Sequence, residues 1–254
     1  MKSVSYDFTG STALVTGASK GIGREIALRL AASGSNVAAT ARNESELAQL
    51  SEEVSEYDVE VDVFPCDLAV TEQINRMCDH FKERFEFIDL VVNSAGTTFP
   101  ETVLETTDEH WDRTINVNLK SVLSVVKYMA PPMIERGGGA IVNVGSLAGE
   151  VAIEEHASYC ASKFGLHGLS KVMALELGPH GIRTNCVAPT VVLTPMGLKV
   201  WGDPEKADKM KQKIPLRRFL DPSEVADAVL FLLSDSAATV NGEIMMLDGG
   251  YSIR

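Results

Sequence analysis

The sequence predicts an α/β protein of Rossmann type, a doubly wound seven-stranded parallel sheet with helices on both faces. Three observations lead there. Short apolar runs alternate with longer stretches of helical periodicity along the whole chain, the arrangement that parallel strands joined by crossover helices produce. The first apolar run feeds directly into a glycine cluster that opens a helix. The length, 254 residues with 45% hydrophobic content, is enough to bury one sizeable core without metals or disulfides. A single domain over residues 1–254 follows.

The predicted strands are 12–16, 36–40, 59–65, 90–93, 140–144, 183–189 and 243–247. β-Branched residues are frequent in them, and glycine, asparagine or proline bounds several. Between them, 21–33, 44–56, 71–85, 108–136, 159–178 and 222–234 carry apolar residues at spacings of three and four, as covering helices require. Thr107 caps the fourth of these helices, and Gly137-Gly138-Gly139 ends it. Pro222 suits the first turn of the last helix, with Asp221 as its cap. The least regular segment, 190–220, mixes Pro195, Gly197, Gly202 and Pro204 with basic and apolar residues and reads as a mobile flap over a site.

Composition narrows the partners. Asp and Glu outnumber Lys and Arg by 35 to 23, a formal charge of -12, which disfavours a broad grip on nucleic acid or anionic lipid. Cys66, Cys78, Cys160 and Cys186 are scattered and read as reduced thiols in a cytoplasmic protein. His80, His110, His167 and His180 lack metal-ligand spacing, so no metal is expected and these residues are assigned to surface or packing. The first ten residues lack the apolar run of a signal peptide, and no stretch approaches the roughly 20 apolar residues that span a bilayer.

Two places carry chemistry. The glycine cluster Thr16-Gly17-Ala18-Ser19-Lys20-Gly21-Ile22-Gly23 lies where a strand meets a helix. There, free backbone N–H groups and the positive end of the helix dipole bind a pyrophosphate. At the end of the second strand, where an NAD-specific site places an acid about 20 residues beyond the glycines, the chain has Ala41 followed by Arg42. A ribose 2′-phosphate could pair there with Arg42 and Lys20, so NADP(H) is the expected cofactor. Ser146 closes the fifth strand, and Tyr159 and Lys163 stand four apart on one helix face. An ammonium one turn away lowers the pKa of a phenol that is otherwise about 10, and a serine hydroxyl can hold a substrate carbonyl oxygen against it.

These residues, with Asn93-Ser94-Ala95-Gly96, Asn118 and the terminal Asp248-Gly249-Gly250, make the chain resemble the short-chain dehydrogenase/reductases over essentially its full length. The resemblance implies a tetrad of Asn118, Ser146, Tyr159 and Lys163. In it, Tyr159 donates the proton, Lys163 also binds the nicotinamide ribose, and Asn118 holds a relay water; Asn116 is read as structural. It further implies Asp67 and Leu68 beside adenine, a wall formed by Asn93, Ala95, Gly96 and Pro189, and Val192 and Thr194 against the nicotinamide amide. Where the family commonly has glycine after Pro189, this chain has Thr190, which must avoid positive φ. Tyr159-Cys160, residues 173–180, Pro189-Thr190-Val191-Val192 and Trp201-Gly202-Asp203-Pro204 resemble the L-xylulose and dicarbonyl reductases in particular.

The reading is therefore an NADP(H)-dependent reductase of a small polar carbonyl, a ketose or an α-dicarbonyl. His156 would reach a substrate hydroxyl, Ile153 and Leu147 would form apolar walls, and Trp201 would act as a lid. Two alternatives stand beside it: a 3-oxoacyl thioester reductase, which needs the same tetrad, and an NADP-binding regulator without turnover. The resemblance also implies a homotetramer, with the fourth and fifth crossover helices at one interface.

Overall fold

A computed structural model describes residues 5–253 of the chain. The seven strands, β1 (Thr12–Thr16), β2 (Asn36–Ala41), β3 (Val61–Pro65), β4 (Leu90–Asn93), β5 (Gly139–Val144), β6 (Ile182–Pro189) and β7 (Ile244–Leu247), form one sheet in the order β3-β2-β1-β4-β5-β6-β7. Every pairing is parallel. The chain winds outward from β1 in one direction and from β4 in the other, so the two crossovers diverge and leave a crevice at the carboxyl ends of these neighbours.

The alternation of strand side chains sorts the core into two layers. Ala13 and Val15 of β1, Leu90 and Val92 of β4, and Val142 of β5 point to the face covered by α1 (Gly21–Ala32), α2 (Glu44–Val54) and α9 (Pro222–Leu233). Leu14, Val91 and Ile141 point to the other face, where Met77 and Phe81 of α3 (Thr71–Arg84), Val125 and Met129 of α5 (Ser121–Arg136) and Leu166 and Met173 of α6 (Ala157–Leu177) meet them. Strands buried on both faces read as continuous apolar runs, which is why they were visible in the sequence.

The caps follow their side chains. Thr107 Oγ1 accepts from His110 N at 3.2 Å at the head of α4 (Asp108–Ile115). Asp221 and Glu224 form a reciprocal capping box on α9. Gly137, at φ +97, ends α5. The predicted helix 108–136 is interrupted by a π turn over Asn116–Lys120, in which Ser121 N bonds Asn116 O five residues back. Such a turn leaves no mark in a periodicity summed over 29 positions.

The segment 190–220 departs from the expected irregular flap, since it holds α7 (Pro195–Trp201) and α8 (Pro204–Lys213). Both are started by the prolines that had suggested loop. Thr194 and Asp203 cap them through Gly197 N and Lys206 N, with Pro195 and Pro204 in the first turn, where the missing N–H costs nothing. The two helices enclose a small cluster of Ala207, Ile214 and Phe219, with Trp201, Met210 and Tyr251 against it. Leu193 N to Leu220 O at 2.8 Å and Leu220 N to Val191 O at 3.0 Å close the base of the segment. Among the described residues no helix is long and apolar enough to cross a membrane.

Arg183 ties β6 to the end of α9. Its guanidinium donates to Leu232 O at 2.7 Å and to Leu233 O and Ser234 O at 3.1 Å each, satisfying carbonyls that a helix end leaves open. Arg183→Met keeps the stem and removes the donors. It is expected to lower unfolding free energy by about 2 to 3 kcal/mol, the scale of hydrogen bonds to a charged, partly buried group. The check is the shift in the urea midpoint at unchanged slope.

Candidate active site

The crevice between β1 and β4 is clasped by the last residue of β1. Thr16 Oγ1 accepts from Ser94 N at 3.1 Å and Ala95 N at 3.2 Å, which draws the loop after β4 onto the glycine cluster. Gly17, at φ +67, lies so close to that loop that a Cβ there would stand 2.7 Å from Ala95 Cα, and a Cβ on Gly23 would strike Gly17 O. The glycines therefore allow loop, strand and helix to meet. The N-cap of α1, Lys20, makes no side-chain cap hydrogen bond, so the N–H groups of the first turn are left for an anion. Thr194, at the base of the flap, overhangs Gly21: a Cβ there would meet Thr194 Cγ2 at 3.1 Å. An uncapped helix start beneath a threonine fits a dinucleotide pyrophosphate, with Gly17, Ser19, Gly21, Ile22 and Gly23 on one side and Thr194 on the other.

The other residues expected at this end are distributed around the crevice. Asp67 and the buried Leu68 follow β3. Burial would raise the Asp67 carboxyl, but Arg113 at 2.7 Å, the Ala69 N–H and the nearby Arg42 outweigh it and hold the pKa below the ordinary value. Asn93 turns its side chain into the core, donating to Asn143 Oδ1 at 2.9 Å, and Asn143 in turn donates to Ser170 Oγ at 2.9 Å. Asn93 thus supports the wall of the crevice from behind, and Ala95 and Gly96 form its surface. Beyond Pro189, Thr190 is not among the residues with positive φ, which resolves the departure from glycine without strain. Its Oγ1 is buried with no hydrogen-bond partner.

At the catalytic end the structure brings the four expected side chains together. Ser146 leaves β5 in extended conformation, and its Oγ accepts from Ala148 N at 3.1 Å. Tyr159 and Lys163 rise from the first two turns of α6, with Lys163 Nζ 5.6 Å from the Tyr159 ring centre. Lys163 is buried and donates to Val144 O at 2.8 Å. Asn118 sits in the π turn. Its Oδ1 accepts from Thr97 N at 2.8 Å and its Nδ2 donates to Thr97 O at 2.9 Å and Ser162 Oγ at 3.0 Å. A Cβ on Gly96 would lie 3.7 Å from Asn118 Oδ1 and 4.0 Å from Lys163 Nζ, so both converge on the floor of the crevice. It is Asn118, not Asn116, that makes these contacts.

The electrostatics differ from the sequence argument. Burial raises the Tyr159 phenol above its ordinary value; the Ser146 hydroxyl draws it back in part. Burial likewise pulls Lys163 down to about 8, with the thiol of Cys186 opposing. Desolvation dominates because the ammonium lies beside the ring at more than 5 Å rather than against the hydroxyl. Tyr159 is consequently an acid at neutral pH, not a phenolate.

At the rim, His156 is the N-cap residue of α6 without using its side chain as a cap. Its Nδ1 pairs with Glu154 O at 2.7 Å, and its ring stands edge-on to Tyr159 at 6.1 Å. Ile153 is part-exposed nearby, its carbonyl facing Cys160 Sγ, while Leu147 is buried below. Trp201 is a correction to the lid expectation. Its ring packs on Phe219 at 6.1 Å and beneath Lys206 Nζ at 5.0 Å, because the two flap helices need an apolar centre of their own.

His167 was assigned to surface or packing, yet it continues the face of Tyr159 and Lys163 by one more turn and lies under the serine loop. A Cβ on Gly145 would stand 2.7 Å from its Nε2 and 2.7 Å from Cys186 Sγ; one on Gly149 would also be 2.7 Å from Nε2. Burial and the neighbouring Lys163 push the imidazole below its ordinary pKa, so it supports Ser146 as a neutral ring. The spacing of four from Lys163 was the signal that could have marked it.

Comparison with known proteins agrees with this geometry. The family described as “Enoyl-(Acyl carrier protein) reductase” matches residues 17–252. D-threitol dehydrogenase of Mycolicibacterium smegmatis is 41% identical over 254 residues, covering 99% of this chain and 97% of the relative. Bovine L-xylulose reductase is 43% identical over 243 residues, 95% of this chain and 96% of the relative. Among solved structures, a putative NAD(P)-dependent gluconate 5-dehydrogenase from Beutenbergia cavernae with bound NADP superposes at a TM-score of 0.93 with 29% identity, covering 98% of this chain and 99% of that one. The chain is an oxidoreductase that belongs to the short-chain dehydrogenase/reductase family.

Proposed function

We propose that this oxidoreductase uses NADP(H) to reduce a small polar carbonyl, a ketose such as L-xylulose or an α-dicarbonyl, to the alcohol. The observation that carries this reading is a phenol that burial keeps protonated, within hydrogen-bonding reach of the Ser146 hydroxyl and beside a buried ammonium. When bound, the nicotinamide supplies the hydride. Ser146 holds the carbonyl oxygen at the phenol, and Tyr159 gives its proton to that oxygen as charge develops there. Lys163, anchored on Val144 O, orients the nicotinamide ribose and offsets the negative charge left on the phenol. Asn118, anchored on Thr97, holds the relay by which the proton is replaced. His156 and Ile153 shape a short mouth of mixed polarity, suited to a hydroxylated ketone. The similarity to D-threitol dehydrogenase and L-xylulose reductase, both named for small polyhydroxylated compounds, supports that size class. Homotetramer assembly through α5 and α6 belongs to the same reading, with Leu123, Phe164 and Leu175 exposed on these helices.

Tyr159→Phe is expected to lower turnover by about two to four orders of magnitude, the usual weight of a positioned proton donor, while the NADPH dissociation constant stays within about twofold. Near-normal turnover would discard Tyr159 as the acid. In the wild type, Lys163 is charged below about 8 and neutral above. Reduction is therefore expected to fall as pH rises through that value, read as kcat against pH at saturating NADPH.

Arg42→Ala is expected to weaken NADPH by about 1.5 to 3 kcal/mol, the scale of a charge-assisted phosphate contact, and to leave NADH nearly unchanged. Fluorescence titration of both nucleotides measures it, and an outright wild-type preference for NADH contradicts the assignment.

For substrate, kcat/KM of wild type and His156→Ala is compared for L-xylulose, diacetyl and acetoacetyl thioesters. The hydroxylated ketose should lead and lose about tenfold on removal of His156, the scale of one hydrogen bond. Preference for the thioester, or an equal loss on all three, transfers the site to acyl reduction.

A further inference from the structure

A carboxylate stands among the cations assigned to the 2′-phosphate. Glu46 is the third residue of α2, its N–H held by Asn43 Oδ1 at 3.2 Å. Its Oε1 accepts from Lys20 Nζ at 3.0 Å across the mouth of the crevice, and its Oε2 is closed off from solvent. The Ser19 hydroxyl, then Lys20, hold the carboxyl below its ordinary pKa, with Asn43 adding to them, so it is charged at neutral pH. Lys20 and Ser19 are therefore already engaged, and by a group with the same sign of charge as a phosphate.

We propose that Glu46 is a specificity-determining residue whose carboxylate competes with the 2′-phosphate of NADP(H) for Lys20 and Ser19, restraining the preference for NADP(H) and keeping NAD(H) usable. The inference rests on the nucleotide site proposed above and deepens it. A 2′-hydroxyl is neutral and a donor, so it tolerates a carboxylate neighbour and can hydrogen-bond to it. A 2′-phosphate has only acceptor oxygens and full negative charge at this position, so it gains Lys20 only when the Lys20–Glu46 pair opens. That pair can open because Lys20 is well exposed, with 59% of its side chain accessible, and exposed ion pairs are weak. Arg42 does not share this competition in the same way, as its charge is felt at Asp67 on the far side of the β2 end. One cation therefore favours the phosphate while the other is held back.

The test is a set of dissociation constants for NADPH and NADH, read by fluorescence quenching, for wild type and Glu46→Gln. Glutamine keeps the size of the side chain and removes its charge. 2′-AMP and 5′-AMP serve as competing probes of the same subsite. Glu46→Gln is expected to tighten NADPH and 2′-AMP by roughly five- to twentyfold, with NADH and 5′-AMP unchanged within about twofold or slightly weaker. In a Lys20→Ala background the gain should shrink, since the release of Lys20 no longer contributes. NADPH affinity that is unchanged or weaker in Glu46→Gln overturns the proposal. So does a parallel change for both nucleotides accompanied by a shifted melting temperature, which would make Glu46 only a support for the start of α2. A wild type that binds neither NADPH nor NADH removes the nucleotide site itself, and the NADH titration separates that result from a failure of Glu46 alone.

Discussion

The clasp between β1 and β4 is the constraint on which the rest of the molecule depends. Thr16 Oγ1 draws the N–H groups of Ser94 and Ala95 inward, and Gly17 has no side chain to keep them away. That contact lies where the strand order reverses, so it fixes the width of the crevice that the doubly wound topology opens. The glycine cluster forms one lip, and the loop carrying Gly96 forms the other. Because Gly96 abuts Asn118 and Lys163 on its far side, the same clasp sets the distance between the cofactor end and the catalytic end.

Desolvation governs the chemistry at the catalytic end. A lysine near a tyrosine was expected to favour phenolate, but that argument holds only if the ammonium keeps its charge without cost and faces the hydroxyl. Here Lys163 is enclosed by protein, spends one hydrogen bond on Val144 O and approaches the ring rather than its oxygen. Both groups shift toward their neutral forms. The result suits carbonyl reduction, which needs a phenol that still owns its proton, and it makes the reverse reaction dependent on raising pH.

Much of the architecture was legible because its causes are local. Strands buried on both faces are apolar runs, and Thr107, Asp221 and Gly137 announce helix ends by their own hydrogen bonding and backbone preference. The tetrad was legible through spacing, since Tyr159 and Lys163 share a face by helical geometry and Ser146 ends a strand. What the sequence hid depends on tertiary placement. Pro195 and Pro204 look like breakers unless the preceding Thr194 and Asp203 are read as caps. The π turn that carries Asn118 changes only one residue in the count. Trp201 resembles a lid by composition, and only the need of α7 and α8 for a centre decides that it packs on Phe219. His167 and Glu46 were passed over for the same reason: each acts through a partner distant in sequence, Gly145 and Gly149 for one and Lys20 for the other.

The two ends of the site also differ in how firmly their charges are held. At the catalytic end, Lys163 and Asn118 are almost wholly enclosed and each is fixed by backbone groups. Exchanging a partner there would leave a buried polar group unsatisfied, at a cost that solvent cannot relieve. At the nucleotide end, Lys20, Arg42 and Glu46 lie at or near the surface, and water can replace any partner that leaves. Their arrangement is therefore cheap to rewrite by single substitutions. The geometry of hydride and proton transfer is locked by burial, whereas the choice between a ribose hydroxyl and a ribose phosphate rests on a few exposed side chains.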